Sequence, residues 1–140
     1  MSQDKRIIFT RPDGGVSVII PAPGVPFERV LKDVPADSVS AKVVDVADLP
    51  TDRTLRNAWC PCPERGVSVD VDKARDIAHD CRRSVRSKRF QPLDVQATIP
   101  LFAAAAEEQR QVIRDADAIV QGSIDSAENV EALLQLVKTL

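Results

Sequence analysis

At 140 residues, with 44% apolar residues, 29% charged residues and a net charge of −2, the chain has room for one domain with a modest core and the composition of a globular protein. Aromatics are only 4% and tyrosine is absent, which leaves the core to Val, Ile, Leu and Ala and argues against aromatic stacking platforms for single-stranded nucleic acid. The opening MSQDKRIIFT has charges and no long apolar run, no stretch approaches the ~18 apolar residues of a membrane span, and three cysteines do not make a disulfide framework. The expectation is a chain with no signal peptide and no membrane association, kept in a reducing compartment unless a larger assembly carries it out.

In chain order, KRIIFT-RPDGG-VSVIIP predicts a β-hairpin with strands near Ile7–Thr10 and Val16–Ile20. Its turn has proline to pre-set φ and glycine to take positive φ. PAPGVP, residues 21–26, reads as a proline-rich linker. FERVLKDV predicts one or two helical turns ended by Pro35, and SAKVVDVADLP a further strand stopped by Pro50. TLRNAW and VSVDV flank CPCPERG, and the alternation of Val67, Val69 and Val71 with Ser68 and Asp70 has the period of a half-buried strand. A second hairpin is expected there, with Trp59 and Val67 near its mouth and the cysteines at its tip.

The helical half is expected from about Asp72, with Asp70 or Asp72 as N-cap. Ala74, Ile77, Ala78, Cys81 and Val85 make one face, and Phe90 and Pro92 mark the end. A second helix is predicted from Thr98 as cap, with Pro100 in its first turn and an inward stripe of Leu101, Phe102, Ala105, Val112, Ile113 and Ala116, broken at Gly122. DSAE, residues 125–128, resembles a capping arrangement for a last helix with Ala127, Val130, Leu133, Leu134 and Val137 on one face. The order of elements defines an α+β class: N-terminal antiparallel β-hairpins or a small sheet, then a C-terminal bundle of about three helices. The expected division is a β-hairpin arm with a proline-rich linker over residues 1–50 and a β-hairpin plus three-helix domain over 51–140.

Cys60, Cys62, His79 and Cys81 together offer the donor types of a zinc site. The spacing opposes it. One residue between paired ligands is shorter than the usual two to four, and on a helix His79 and Cys81 project about 200° apart. Cys81 falls on the apolar face, where a free cysteine behaves as a small hydrophobe. Cys-Pro-Cys lacks the helix N-terminus that activates a redox thiol, and a Cys–His nucleophile would need the tip brought against His79. Asp70 and Asp72 are better explained by capping than as paired carboxylates. There is no P-loop, dinucleotide fingerprint or nucleophile elbow, and the glycines of PDGG belong to a turn. The expectation is no enzyme, no cofactor and no metal.

Residues 73–89 hold seven basic and two acidic residues, a net +5 against −7 for the rest of the chain. Arg82, Arg83, Arg86 and Arg89, with Trp59, are the candidates for partner contact. Cations near a helix C-terminus complement its dipole, so a solvated face is the plain reading. A docking surface for an acidic protein, another copy of the chain included, is the functional one. A small nucleic-acid-binding regulator using this basic helix is the alternative, disfavoured by a sequence pI of about 5.4 and the missing aromatics.

Three stretches carry a resemblance: LPTDRTLRNAW, VSVDVDKARDIAHDCRRSVRSKRFQPLDV and VIRDADA with IDSAENVEALL. They resemble a group of small, mostly uncharacterised proteins of tailed bacteriophages and prophages. The shared positions are Asp52, Arg53, Thr54, Arg56, Ala58, Trp59, Asp70, Lys73, Ala74, Arg75, Arg83, Arg86, Leu93, Asp94, Arg114 and Asp115; the opening IIFTRPDGGVSVIIPAPG also looks like the front of such proteins. Departures are Leu55 where an aromatic is common, Cys60 and Cys62 at the hairpin tip, and Pro100 in the second helix. The resemblance implies a structural or assembly role in the virion, at the tail or head–tail region, and no established activity. It implies other phage structural proteins as partners, in an oligomer or larger assembly, and a location in the virion or in the host cytoplasm during assembly.

Overall fold

The structure is a computed structural model describing residues 4–140. Strands β1 (Lys5–Thr10) and β2 (Val16–Ile19) form the expected hairpin, and β3 (Ser40–Asp45) pairs with the other side of β1, giving an antiparallel sheet of order β2-β1-β3. Gly14 takes φ +84° in the hairpin turn, the Arg11 N–H donates to the Gly15 carbonyl at 2.8 Å, and Asp13 accepts from the Gly15 N–H at 2.8 Å. Proline then glycine after an arginine thus closes the turn that the sequence predicts. A short helix α1 (Phe27–Leu31) follows Pro26, and its end falls before Pro35.

Trp59–Cys62 is itself strand β4, paired with β5 (Gly66–Val69), which corrects the expectation that the cysteines form the hairpin tip. Pro63, Glu64 and Arg65 make the turn. The residues TLRNA are not strand but turn and 3₁₀ helix, because Asp52 accepts from the Thr54 N–H at 2.9 Å and Leu55 and Ala58 are pulled inward. The core joins both hairpins: Ile8, Val16, Val44 and Leu49 pack with Trp59 and Val67. The boundary between compact units accordingly falls after Lys73, not at Pro50, so the first hairpin is not a separate arm.

Glycine at position 66 is required by the packing. Its φ is +89°, and a Cβ there would lie 2.9 Å from Val44 Cγ1 and 3.2 Å from Ile8 Cδ1. The second hairpin can approach the first sheet only because this residue has no side chain.

The remaining unit is helical: α2 (Val71–Ala97), α3 (Ala103–Ser126) and α4 (Val130–Thr139). Asp70 caps α2, accepting from the N–H groups of Asp72 and Lys73 at 2.9 and 3.1 Å. The helix runs through Pro92, contrary to the expected end. Pro92 and Lys88, whose carbonyl loses its donor, are both exposed and open to water, while buried Leu93 anchors the last turns. Thr98 does not cap the next helix. Its hydroxyl donates back to the Val95 carbonyl at 2.7 Å, and α3 begins five residues later, after Pro100. Gly122 does not end α3; it is exposed, costs about 1 kcal/mol, and is outweighed by fully buried Ile124 beyond it. Asn129, not the DSAE segment, caps α4 by accepting from the Ala132 N–H at 2.8 Å. Among the described residues no helix is long and apolar enough to cross a membrane.

Candidate functional site

The inward face of α3 repeats at alternating steps of three and four: Ala103, Ala106, Arg110, Ile113, Asp117, Val120 and Ile124. Two of these positions are charged. Asp117, its side chain 9% exposed, accepts from Arg82 Nη1 at 2.6 Å and from Arg86 Nη1 at 2.9 Å. Arg82 is 5% exposed, so this is a buried charge cluster between α2 and α3. Burial makes the pair structural: neither ion can be left alone away from water without a cost of several kcal/mol.

The cluster extends to His79. Arg82 Nε donates to His79 Nδ1 at 3.4 Å, which leaves the proton on Nε2 to be donated to Asp125 at 2.8 Å. The histidine that the sequence offers to a metal is thereby tied to α3. Farther along, Phe90 lies under the Arg110 and Arg114 guanidinium groups, each 5.8 Å from its ring centre. Arg110 also reaches Asp94 at 2.9 Å, and Arg114 donates to Glu107 at 2.7 Å, holding the Glu107 carboxyl below its usual range.

The expected site residues therefore separate. Arg82 is removed from the docking surface by its burial. Arg86 is committed to Asp117 but keeps 38% of its side chain exposed. Arg83 lies outside, paired with Asp80 at 2.9 Å, and Arg89 is exposed beside a cleft lined by Val85, Ile113 and Leu140. That cleft holds about 40 Å³, room for a water or two and too little for an organic substrate. Trp59 is 1% exposed in the β-unit core and offers no surface to a partner. Cys60 Sγ lies 3.1 Å from Ser68 Oγ across the hairpin, and Cys62 faces the shallow recess beside Lys42 and Gly66. The three cysteines are free thiols. Among the described residues no three His, Cys, Asp or Glu side chains are placed to hold a metal ion.

One outward face of α3 is apolar. Ala105, Val112, Ala116 and Ile119 recur on one face opposite the charged seam, and all are exposed, Val112 by 67% and Ile119 by 72%. Leu101, 83% exposed, and Phe102, 48% exposed, extend the apolar surface into the preceding turn. This overturns the expected inward stripe: of Leu101, Phe102, Ala105, Val112, Ile113 and Ala116, only Ile113 is sheltered. The physical reason is that α3 has two apolar faces. The one with Ala103 and Ala106 permits close helix approach and places Arg110 and Asp117 against cations, anions and a ring on α2. Counting charged residues as outward hides that choice. Glu108 and Asp115 border the exposed face on one side. The chain matches no protein-family profile, no curated protein and no solved structure.

Proposed function

We propose that the chain is a non-enzymatic structural or assembly protein of a tailed-phage particle, in the tail or head–tail region, acting through protein–protein contacts. The observation that carries the contact reading is the exposed apolar face of α3, with Val112 at 67% and Ile119 at 72% exposure. Large side chains set at helical spacing and rimmed by polar residues are the mark of a partner interface. The phage assignment is supported by the resemblance at Asp52, Arg53, Thr54, Arg56 and the Lys73–Ala74–Arg75 helix start. The partner that complements this face is a helix of another particle protein, apolar along one stripe and basic where it meets Glu108 and Asp115.

The nucleic-acid alternative rested on the basic helix. It loses Arg82 to burial and most of Arg86 to Asp117. Binding to duplex DNA that weakens steeply with salt and requires Arg83 and Arg89 would favour it over the contact reading.

The deciding experiment is mass spectrometry of purified particles from cells making either the natural chain or the Val112→Asp/Ile119→Asp variant. Both positions are exposed, so the variant keeps its helical circular dichroism. The natural chain is expected in particles at a fixed stoichiometry and the variant is expected to be excluded. Absence of the natural chain, or equal incorporation of the variant, overturns the proposal.

A further inference from the structure

In the β-unit a different surface gathers charge. Arg11, Arg53 and Arg56 line one recess of about 280 Å³ with Ser17 and Asn57, and Arg11 and Asn57 continue into a second of about 250 Å³ that Lys73 borders. The two recesses make one groove carrying four cations. Residues 1–73 contain ten basic and eleven acidic residues, so this concentration is local and not a consequence of overall charge.

Local chain geometry builds the groove. The Asp52 turn and the 3₁₀ segment Arg56–Ala58 bury Leu55 to 3% and Ala58 fully, which sends Arg53, Arg56 and Asn57 outward between them. Arg11 is held in place: its Nη1 donates to Ser17 Oγ at 2.9 Å and its Nε to Asp13 at 3.2 Å. Lys73 Nζ stands over the hairpin turn, 3.9 Å from the point where a Gly14 Cβ would sit. Asp13 is the one carboxylate lining the groove, and the Gly15 N–H it accepts holds it below its usual range, so it stays ionised. Among the described residues Arg53 and Arg56 have no acidic partner.

We infer that this groove binds an extended, acidic segment of a partner protein. The inference rests on the assembly reading above and names a second contact for it. Three features select the occupant. Guanidinium forks at Arg53 and Arg56 match carboxylates in paired geometry. The floor is Val16, Ser17 and Val18 of β2, an edge strand whose outer side has no strand partner among the described residues, so an extended segment finds backbone groups as well as charge. A nucleic acid would have to run its phosphates past Asp13, and it finds no aromatic side chain among the residues lining the groove to stack on.

The test measures fluorescence anisotropy of a labelled eight-residue peptide alternating Glu and Val with the full chain. A Gln–Val peptide and a 20-nucleotide duplex serve as comparison arms. The acidic peptide is expected to bind, to lose affinity on the order of tenfold to a hundredfold in Arg53→Ala/Arg56→Ala, and to shift the backbone amide resonances of Ser17 and Asn57. Both arginines are exposed, and Trp59 fluorescence checks that the variant is folded. Equal affinity for the Gln–Val peptide, unchanged binding by the arginine variant, or tighter binding of the duplex at the same resonances overturns the inference. The Val112→Asp/Ile119→Asp chain is expected to bind the peptide normally. Loss of particle incorporation with peptide binding intact, or the converse, therefore identifies which of the two readings has failed.

Discussion

Asp117 is the position where a single atom-scale change has the most to say about the helical unit. Replacing it with alanine removes the acceptor of two guanidinium groups, Arg82 at 2.6 Å and Arg86 at 2.9 Å. Arg86, 38% exposed, can turn to water, but Arg82 at 5% cannot, so the variant carries a buried uncompensated cation. Orphaning one member of a buried pair costs about 3–5 kcal/mol, a large part of the stability of a small domain. The converse change, Arg82→Leu, leaves Asp117 with Arg86 as donor and is expected to cost roughly 1–3 kcal/mol, the range of one hydrogen bond to a charged group. Replacing both by leucine restores much of the loss, because an apolar pair of similar volume needs no compensation. Urea unfolding followed by circular dichroism at the helix band reads mainly α2, α3 and α4, whereas the sole tryptophan reports the β-unit. At a slope of about 2 kcal/mol per M, Asp117→Ala lowers the helix-band midpoint by roughly 1.5–2.5 M. Equal losses for the two single variants, or a loss below about 1 kcal/mol for Asp117→Ala, would refute the buried-pair reasoning.

Two further outcomes follow from the geometry. Gly66→Ala combines a positive φ with a Cβ 2.9 Å from Val44 and is expected to destabilise by about 2–5 kcal/mol, read by Trp59 fluorescence; Gly24→Ala, at φ +81° with nothing within 4 Å, is expected to cost only about 1–2 kcal/mol, and similar losses at the two positions would remove the close-approach argument. With His79 tied to Arg82 and Asp125, a strong chelator is expected to leave the thermal midpoint unchanged and elemental analysis to find no stoichiometric zinc; unfolding on chelation would reinstate the metal reading.

The elements legible in the sequence are those written locally. The PDGG hairpin, the alternation around Val67, the cap at Asp70 and the Ala74–Ala78 face need only neighbouring residues, and they stand where expected. The structure departs from the local pattern where two local signals compete. Pro92 reads as a stop, yet with solvent at the freed carbonyl and Leu93 buried the helix continues. The run CPCPERG reads as a hairpin tip because of its prolines, yet Pro61 can sit in β4 because it is exposed and in a two-stranded pair.

By itself, then, the sequence determined the α+β order, the turn of the first hairpin and the Asp70 cap, because those are decided by backbone freedom and hydrogen bonds within a few residues. Which face of α3 turns inward, and whether Arg82 is a docking residue or a buried one, were decided only when α3 met α2 and Asp117 met two guanidinium groups. The same holds for the cationic groove: Arg11, Arg53, Arg56 and Lys73 are far apart along the chain, and the shared core of the two hairpins and the start of α2 bring them together. A charged residue looks the same in a sequence whether it faces water or an opposite charge, and only the tertiary contact tells them apart.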